Sequence, residues 1–185
     1  MRSESMRTHN LILLLTGKSG SGKTTIADEL ERQFGLKVLK SYTTRPPRAN
    51  DTSHTFVSDE EFDKLTDIVA YTEYNGYRYC ATAEQVENSD VYVIDPAGVE
   101  FFKEHYHGGK RVIDLYIKAG SRTRAQRMFD RGDEPDKIES RLDYDQAAFA
   151  NYIPYAYTRN GKHAEIDDVV WKIAMAYKTW NGGSI

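Results

Sequence analysis

One run of eight residues carries the clearest chemistry in this chain. Gly17-Lys18-Ser19-Gly20-Ser21-Gly22-Lys23-Thr24 fits the phosphate-binding pattern G-x-x-x-x-G-K-[ST]. Each part of the pattern has a physical reason. The glycines let consecutive backbone N–H groups turn inward around phosphate oxygens. A helix beginning at Lys23 aims the positive end of its dipole at the same oxygens. Lys23 adds a point charge at the β- and γ-phosphates, and the Thr24 hydroxyl is a ligand type for Mg²⁺. Average residue frequencies would give the four fixed positions by chance in on the order of one chain in a hundred of this length. The strand-like run before the loop and the helix-like stretch after it lower that figure further.

Such a loop says which phosphates are held, not what receives one. A second basic stretch offers a receiver. Lys37 to Arg48 carries four positive charges and no acid. Arg45 and Arg48, three apart and stiffened by Pro46 and Pro47, make a preorganised fork for a dianion. The plainer alternative is a solvated basic loop. A third station, Lys118 to Arg131, holds five positive charges and one negative. Arg127 and Arg131 share a helix face. Arginines closing on a transferring phosphoryl group stabilise its spread charge in a water-poor site. The plainer alternative here is a surface helix pairing with acids.

With all three stations in view, the sequence resembles the guanylate kinase family. The resemblance rests on the strand and phosphate loop followed by Ser41-Tyr42-Thr43-Thr44-Arg45-Pro46-Pro47-Arg48. It continues through Phe56-Val57-Ser58-Asp59-Glu60-Glu61-Phe62 and Tyr74-Asn75-Gly76-Tyr77-Arg78-Tyr79. It extends to Val93-Ile94-Asp95-Pro96-Ala97-Gly98-Val99, to Arg127–Arg131 and to Ile138-Glu139-Ser140-Arg141-Leu142. It implies an ATP:nucleoside-monophosphate phosphotransferase using ATP and Mg²⁺ on small nucleotide substrates. The implied α/β fold is a three-layer α/β/α P-loop NTPase with a five-stranded parallel core sheet, a small mixed acceptor-binding subdomain and a helical lid. One domain would span 11–185, with core 11–40, 89–120 and 150–185, subdomain 41–88 and lid 121–149.

Carried over residue by residue, the resemblance gives catalytic roles to Lys23, Arg45, Arg127, Arg131 and Arg141. ATP would be bound by Gly17, Ser19, Gly20, Ser21, Gly22, Lys23, Thr24, Thr25 and Asn160. Arg45 and Arg48 would grip the acceptor phosphate, Tyr79 would hydrogen-bond it, and Ser41 would reach the base edge. Thr24 would bind Mg²⁺ directly, and Asp95 would face it through water.

The departures from the family pattern cluster at the base-reading end. The family's guanine-binding Glu, six residues before Gly76, is Ala70 here. The first Asp of its Asp-x-Asp strand is Val93. The Gly-Ser/Thr after its tyrosine is Cys80-Ala81, and a phosphate-binding tyrosine is His54, which can still donate to a phosphate. A shift of register would let Glu73 take the guanine role. GMP or dGMP is therefore the leading acceptor. The ribose 1,5-bisphosphate phosphokinase branch is an alternative, since it also tends to lack the guanine-reading Glu, although it usually lacks the second arginine of the fork. A non-catalytic phosphopeptide-binding module is another. Such modules typically carry a damaged phosphate loop, which this one is not.

These residues need elements to hold them. Leu11–Thr16 is a continuous apolar run ending at glycine, read as a buried parallel strand. Ile26, Ala27, Leu30 and Phe34 recur at helical spacing, and Gly35 stops that helix. Lys37–Lys40, Val91–Ile94 and Arg111–Ile117 read as further core strands. Ile68–Tyr74 and Tyr77–Cys80 form a hairpin turned at Asn75-Gly76. Short or full helices are expected at Asp59–Leu65, from Pro96 to Tyr106, at Ser121–Arg131, at Pro135–Phe149 and at Asp167–Trp180. The last places Val169, Val170, Ile173 and Tyr177 on one face. Strands alternating with helices mean a parallel α/β sheet. Residues 1–10 are polar and expected to be a flexible leader.

Composition narrows the class. The chain has 185 residues, enough for one core. Its 25 Lys and Arg against 28 Asp and Glu give a net charge of −3, which excludes a generally basic nucleic-acid-coating protein. The total conceals the stations: Ile12–Thr25 carries +2, Lys37–Arg48 +4 and Lys118–Arg131 +4, leaving −13 to the rest. Cys80 is the single cysteine, so no intrachain disulfide forms and a reducing compartment is expected. The longest apolar run, Leu11–Leu15, is far too short to cross a membrane. These features suit a cytoplasmic monomer or homodimer. His105-Tyr106-His107 looks like a metal pair without a third ligand, and Cys80 reads as a small packing residue.

Overall fold

The computed structural model describes residues 10–47 and 51–182. The expected flexible leader thus lies outside the described residues except for Asn10, whose carbonyl accepts from the Arg111 N–H. The fold is organised around β1 (Leu11–Thr16), every residue of which is buried. A strand with no polar face must be covered on both sides. Parallel neighbours flank it, β6 (Val91–Val93) on one side and β7 (Arg111–Lys118) on the other, with β8 (Ala156–Arg159) beyond β7. The order is β6-β1-β7-β8.

The alternation of side chains along β1 sorts its residues into two cores. Leu11, Leu13 and Leu15 face one cluster with α1 (Lys23–Phe34) and α7 (Ile166–Trp180). Ile12 and Leu14 face a second cluster with Val99 and Phe102 of α4 (Pro96–His105) and Val69, Ala70 and Ala81 of the neighbouring sheet. The helical face read from α7 is confirmed: Val169, Val170, Ile173 and Tyr177 are all buried. Glycines in the left-handed conformation bracket α1, Gly22 at its start and Gly35 at its end.

The core sheet has four laddered strands rather than the five expected. The segment Lys37–Lys40 does lie beside β6, but Val38 makes one parallel bridge to Val91. Leu39 N–H to Val91 O (2.8 Å) and Val91 N–H to Lys37 O (3.1 Å) make that bridge, and Asp90 N–H also donates to Lys37 O (2.8 Å). Two apolar residues between solvated lysines are too short a run to ladder.

The second sheet has the order β3-β2-β5-β4, formed by β2 (Tyr42–Thr43), β3 (Thr55–Phe56), β4 (Ile68–Tyr74) and β5 (Tyr77–Thr82). The pair β2–β3 is parallel and the others antiparallel. The hairpin turns as expected at Asn75-Gly76, both at positive φ (52° and 76°), as a twist-matched two-residue turn requires. Two short helices, α2 (Asp59–Phe62) and α3 (Ala83–Glu87), each start with a reciprocal capping box, Ser58 with Glu61 and Thr82 with Gln85. The helical pair α5 (Ser121–Asp130) and α6 (Pro135–Ala148) completes the chain's elements. No helix among the described residues is long and apolar enough to cross a membrane.

If β1 carries both cores, truncating it is costly. Leu13→Ala should lower unfolding free energy by about 3 kcal/mol in urea denaturation. Trp171→Ala, on the exposed side of α7, should change it by about 0.5 kcal/mol or less.

Candidate active site

The loop between β1 and α1 is crowded from three directions. Gly17, Gly20 and Gly22 have φ of 148°, 73° and 94°. A Cβ at Gly17 would lie 2.7 Å from the Ile117 carbonyl oxygen, at Gly20 2.6 Å from that of Arg124, and at Gly22 2.5 Å from Asn160 Nδ2. Only hydrogen fits at each. The Asn160 side chain is buried and donates to the Ser21 carbonyl (2.9 Å), while the Ser21 N–H donates to Lys18 O (3.0 Å). Ser21 and Asn160, expected as ATP contacts, therefore spend these groups on the shape of the loop.

Lys23 lies at the start of α1 and donates to Gly17 O (2.5 Å). Burial pushes its ammonium down to about 8. Asp145 pulls it back up, Arg124 pushes it further down, Asp95 raises it and Arg131 lowers it. A bound polyphosphate would supply the counter-charge that this site lacks.

Two clefts meet at this lysine. The first, about 410 Å³, is floored by the loop and by Thr24 and Thr25, and walled by Arg127, Arg131 and Arg141. Arg127 is held by the carbonyls of Asn160 (3.1 Å) and Gly161 (3.2 Å). Arg131 pairs with Asp133 at 2.6 Å, and Arg141 lies 3.7 Å from the same carboxylate. The three arginines named from sequence are thus brought together at the mouth of the phosphate loop.

The second cleft, about 300 Å³, lies between the second sheet, the start of α4 and the face of α6. Ser41, His54, Tyr79 and Asp95 line it, as expected from sequence. Ser41 Oγ and His54 Nδ1 are 2.9 Å apart, and the His54 ring meets Tyr79 edge-on at 5.5 Å. Asp95 caps α4, accepting from Gly98 N–H (2.7 Å), and its other oxygen accepts from the Thr72 hydroxyl (2.9 Å). Tyr74 and Tyr144 meet edge-on at 5.3 Å across the cleft. Ser19 and Lys23 line both clefts.

Two residues expected at the acceptor end lie elsewhere. Arg45 is not in the cleft: it pairs with Asp51 (2.6 Å) and lies over the Phe56 ring, so an acid just past the basic stretch neutralises it. Burial pushes the Asp51 carboxyl up, but hydrogen bonds from Ser53 and Arg45 and the Arg45 charge hold it far below the usual range. Glu73 is exposed and accepts from the Tyr71 hydroxyl. Tyr71, Thr72 and Tyr74 of that strand line the cleft, and Thr72 is the one hydrogen-bonded to Asp95. Arg48 lies outside the described residues.

Ala70 and Ala81 are paired across β4 and β5 and are fully buried, so neither offers a polar group to the cleft. Sequence reasoning missed Thr72, Tyr144, Asp145 and Phe149, which line this cleft together with Tyr71 and Tyr74 of the hairpin. The tyrosine-rich hairpin was a signal for Tyr74. Nothing local pointed to the α6 residues.

Comparison with known proteins finds relatives of this chain. A family described as an AAA domain matches residues 13–149. A guanylate kinase of Neisseria meningitidis serogroup A is 43% identical over 82 residues, spanning 40% of this chain and 40% of that protein. The chain thus matches about two fifths of that relative's length. A guanylate kinase of Ehrlichia chaffeensis is 28% identical over 95% of this chain and 89% of the relative. The crystal structure of guanylate kinase from Anaplasma phagocytophilum aligns with a TM-score of 0.65 at 19% identity, covering 93% of this chain and 86% of that one, which shows the fold.

The crowding of the loop makes a direct expectation. Gly20→Ala should weaken ATP binding more than ~10-fold by calorimetry, because backbone opposes the new methyl. Gly76→Ala, also at positive φ but facing open space, should cost about 1 kcal/mol of stability and leave ATP binding unchanged.

Proposed function

The chain belongs to the AAA-domain family, and on that premise we propose that it is an enzyme of the guanylate kinase type, which transfers the γ-phosphate of ATP to a nucleoside monophosphate. The observation that carries this reading is the junction of two unlike clefts. One is walled by arginines at the phosphate loop. The other is lined by aromatic and hydroxyl groups and suits a base and sugar. Lys23 and Ser19 belong to both.

The reaction asks little covalent chemistry of the protein. An acceptor phosphate oxygen attacks the γ-phosphorus; that P–O bond forms, the bond to the β,γ-bridging oxygen breaks, and ADP leaves. No side chain needs to act as nucleophile. Lys23 follows the charge as it moves to the bridging oxygen, and Arg127, Arg131 and Arg141 face the equatorial oxygens. The α5–α6 pair covers the loop and excludes water from it. His54, Tyr79 and Ser41 supply hydrogen bonds on the acceptor side.

Mg²⁺ is implied by the same reading, and the donors present fit it. Thr24 offers a hydroxyl at the loop, and phosphate oxygens and water complete an oxygen-only shell of the kind this ion prefers. Both Asp95 oxygens already accept hydrogen bonds from Gly98 and Thr72, so Asp95 suits the ion's waters rather than the ion itself. When bound, the ion draws charge from the β- and γ-phosphate oxygens.

GMP or dGMP is the acceptor to which the family likeness points. The Tyr74–Tyr144 contact favours a ring-bearing acceptor over a bare sugar phosphate. Glu73 is not among the residues that line the cleft, so the base is read chiefly by hydroxyls, which both donate and accept. Discrimination between bases should therefore stay below ~10²-fold in kcat/KM.

With ATP, Mg²⁺ and a panel of nucleoside monophosphates, coupled-assay ADP formation is expected with GMP or dGMP. Silence across the panel would refute the reading. Lys23→Ala should cut kcat ~10³-fold or more, and near-normal turnover in that variant would remove the loop from the mechanism.

A further inference from the structure

We propose that Arg124 and Asp145 act together as positioning residues that clamp Ser19 and so hold the phosphate loop in its transfer-competent shape. The inference rests on the phosphotransfer reading and deepens it. Three polar groups of Ser19 are engaged. Its N–H donates to Asp145 Oδ2 (2.8 Å), its hydroxyl donates to Asp145 Oδ1 (3.2 Å), and its carbonyl accepts from Arg124 Nη1 (3.2 Å). The two clamping side chains pair with each other at 2.8 Å and are about 5% exposed.

Several features separate this pair from an ordinary ion pair. Its members come from α5 and α6, and both reach the same loop residue more than a hundred positions away in sequence. Ser19 is one of the two residues shared by both clefts, so its conformation sets where the donor and acceptor phosphates meet. Arg124 Nε is buried without a hydrogen-bond partner. A guanidinium kept dry with one N–H unmet is a poor choice for stability alone. Small displacements at such a junction are costly to rate, since positioning is most of what this chemistry requires.

Two variants of the full chain separate positioning from stability. Arg124→Met/Asp145→Leu removes both charges and fills their space, so the melting temperature should hold or rise. The same variant should lose ~10- to 100-fold in kcat with the acceptor KM within ~3-fold. Asp145→Asn keeps an acceptor for the Ser19 N–H but leaves Arg124 uncompensated. It should melt lower than the double variant yet lose several-fold less kcat than the double variant loses. A pair with a merely structural role would give the opposite order, with activity following stability.

A ligand-free readout makes the test independent of turnover. By NMR hydrogen exchange, the Ser19 amide should be protected in the wild type and exchange ~10-fold faster or more in the double variant. A double variant with wild-type kcat, or with Ser19 still protected, overturns the clamp. A wild type inactive on the whole nucleotide panel overturns the phosphotransfer reading instead, and the exchange result alone then decides whether the clamp exists.

Discussion

Three elements of this molecule press against one loop. The end of β7 reaches Gly17 through the Ile117 carbonyl, α5 reaches Gly20 through the Arg124 carbonyl, and the segment after β8 reaches Gly22 through Asn160. At each point the space for a Cβ is already taken. Backbone packed this tightly has few alternative conformations, which is how a loop without regular structure keeps its N–H groups aimed at one place. The rest of the architecture follows from that need. A loop pressed from three sides requires three fixed abutments, and the parallel sheet supplies two of them at the carboxyl ends of adjacent strands, where ligands of open α/β sheets bind.

Charge is managed in the same local fashion. Counted along the sequence, three basic stations stand against an acidic remainder. In space, several of those cations have a carboxylate beside them: Arg45 has Asp51, Arg124 has Asp145 and Arg131 has Asp133. Each partner lies outside the stretch that looked uniformly basic. The cation with the strongest claim on a phosphate is Lys23, which burial has pushed down and whose hydrogen bonds go to the carbonyls of Gly17 and Lys18. An acidic body with locally neutralised arginines therefore still presents its positive charge at the loop.

Much of the fold was legible because it is encoded locally. The apolar run of β1, the glycine stops of α1, the helical face of α7 and the Asn75-Gly76 turn all state their conformation within a few residues. The elements that went unread are short or half-exposed. β2 and β3 have two residues each, and β8 alternates between intermediate and exposed positions on a sheet edge. At the site, the donor side was readable because the phosphate loop is a contiguous motif. The acceptor side was not, for a reason of parity. A one-residue change of register exchanges the two faces of a strand, and the pairing of β4 with β5 shifts between Ile68 and Ala70. An ungapped comparison of sequences puts Ala70 at the base-reading position and a shifted one puts Glu73 there, whereas the strand sets Thr72 beside Asp95. Asp145 was unreadable for a different reason, since its meaning depends on a contact with Ser19 far away in the chain.

The helical pair α5–α6 also looks different once its contacts are known. The lid expected at 121–149 starts just after Gly120 and turns at Gly132. Gly120 has φ −66°, open to any residue, whereas Gly132 at +90° uses a conformation that favours glycine. The root of the pair is bound to the loop by the Ser19 clamp and by Arg127 against Asn160 and Gly161. Its far end, around Arg131, Asp133 and the turn at Gly132, is half-exposed or exposed and is held by ion pairs of the kind that solvent weakens. Moving the pair as a rigid body would break a buried ion pair and its loop contacts together. Moving only its far end would cost surface interactions alone. On the proposed function, closure over a phosphate is therefore a matter of Arg131 and Arg141 exchanging Asp133 for phosphate oxygens, with the loop beneath them already set.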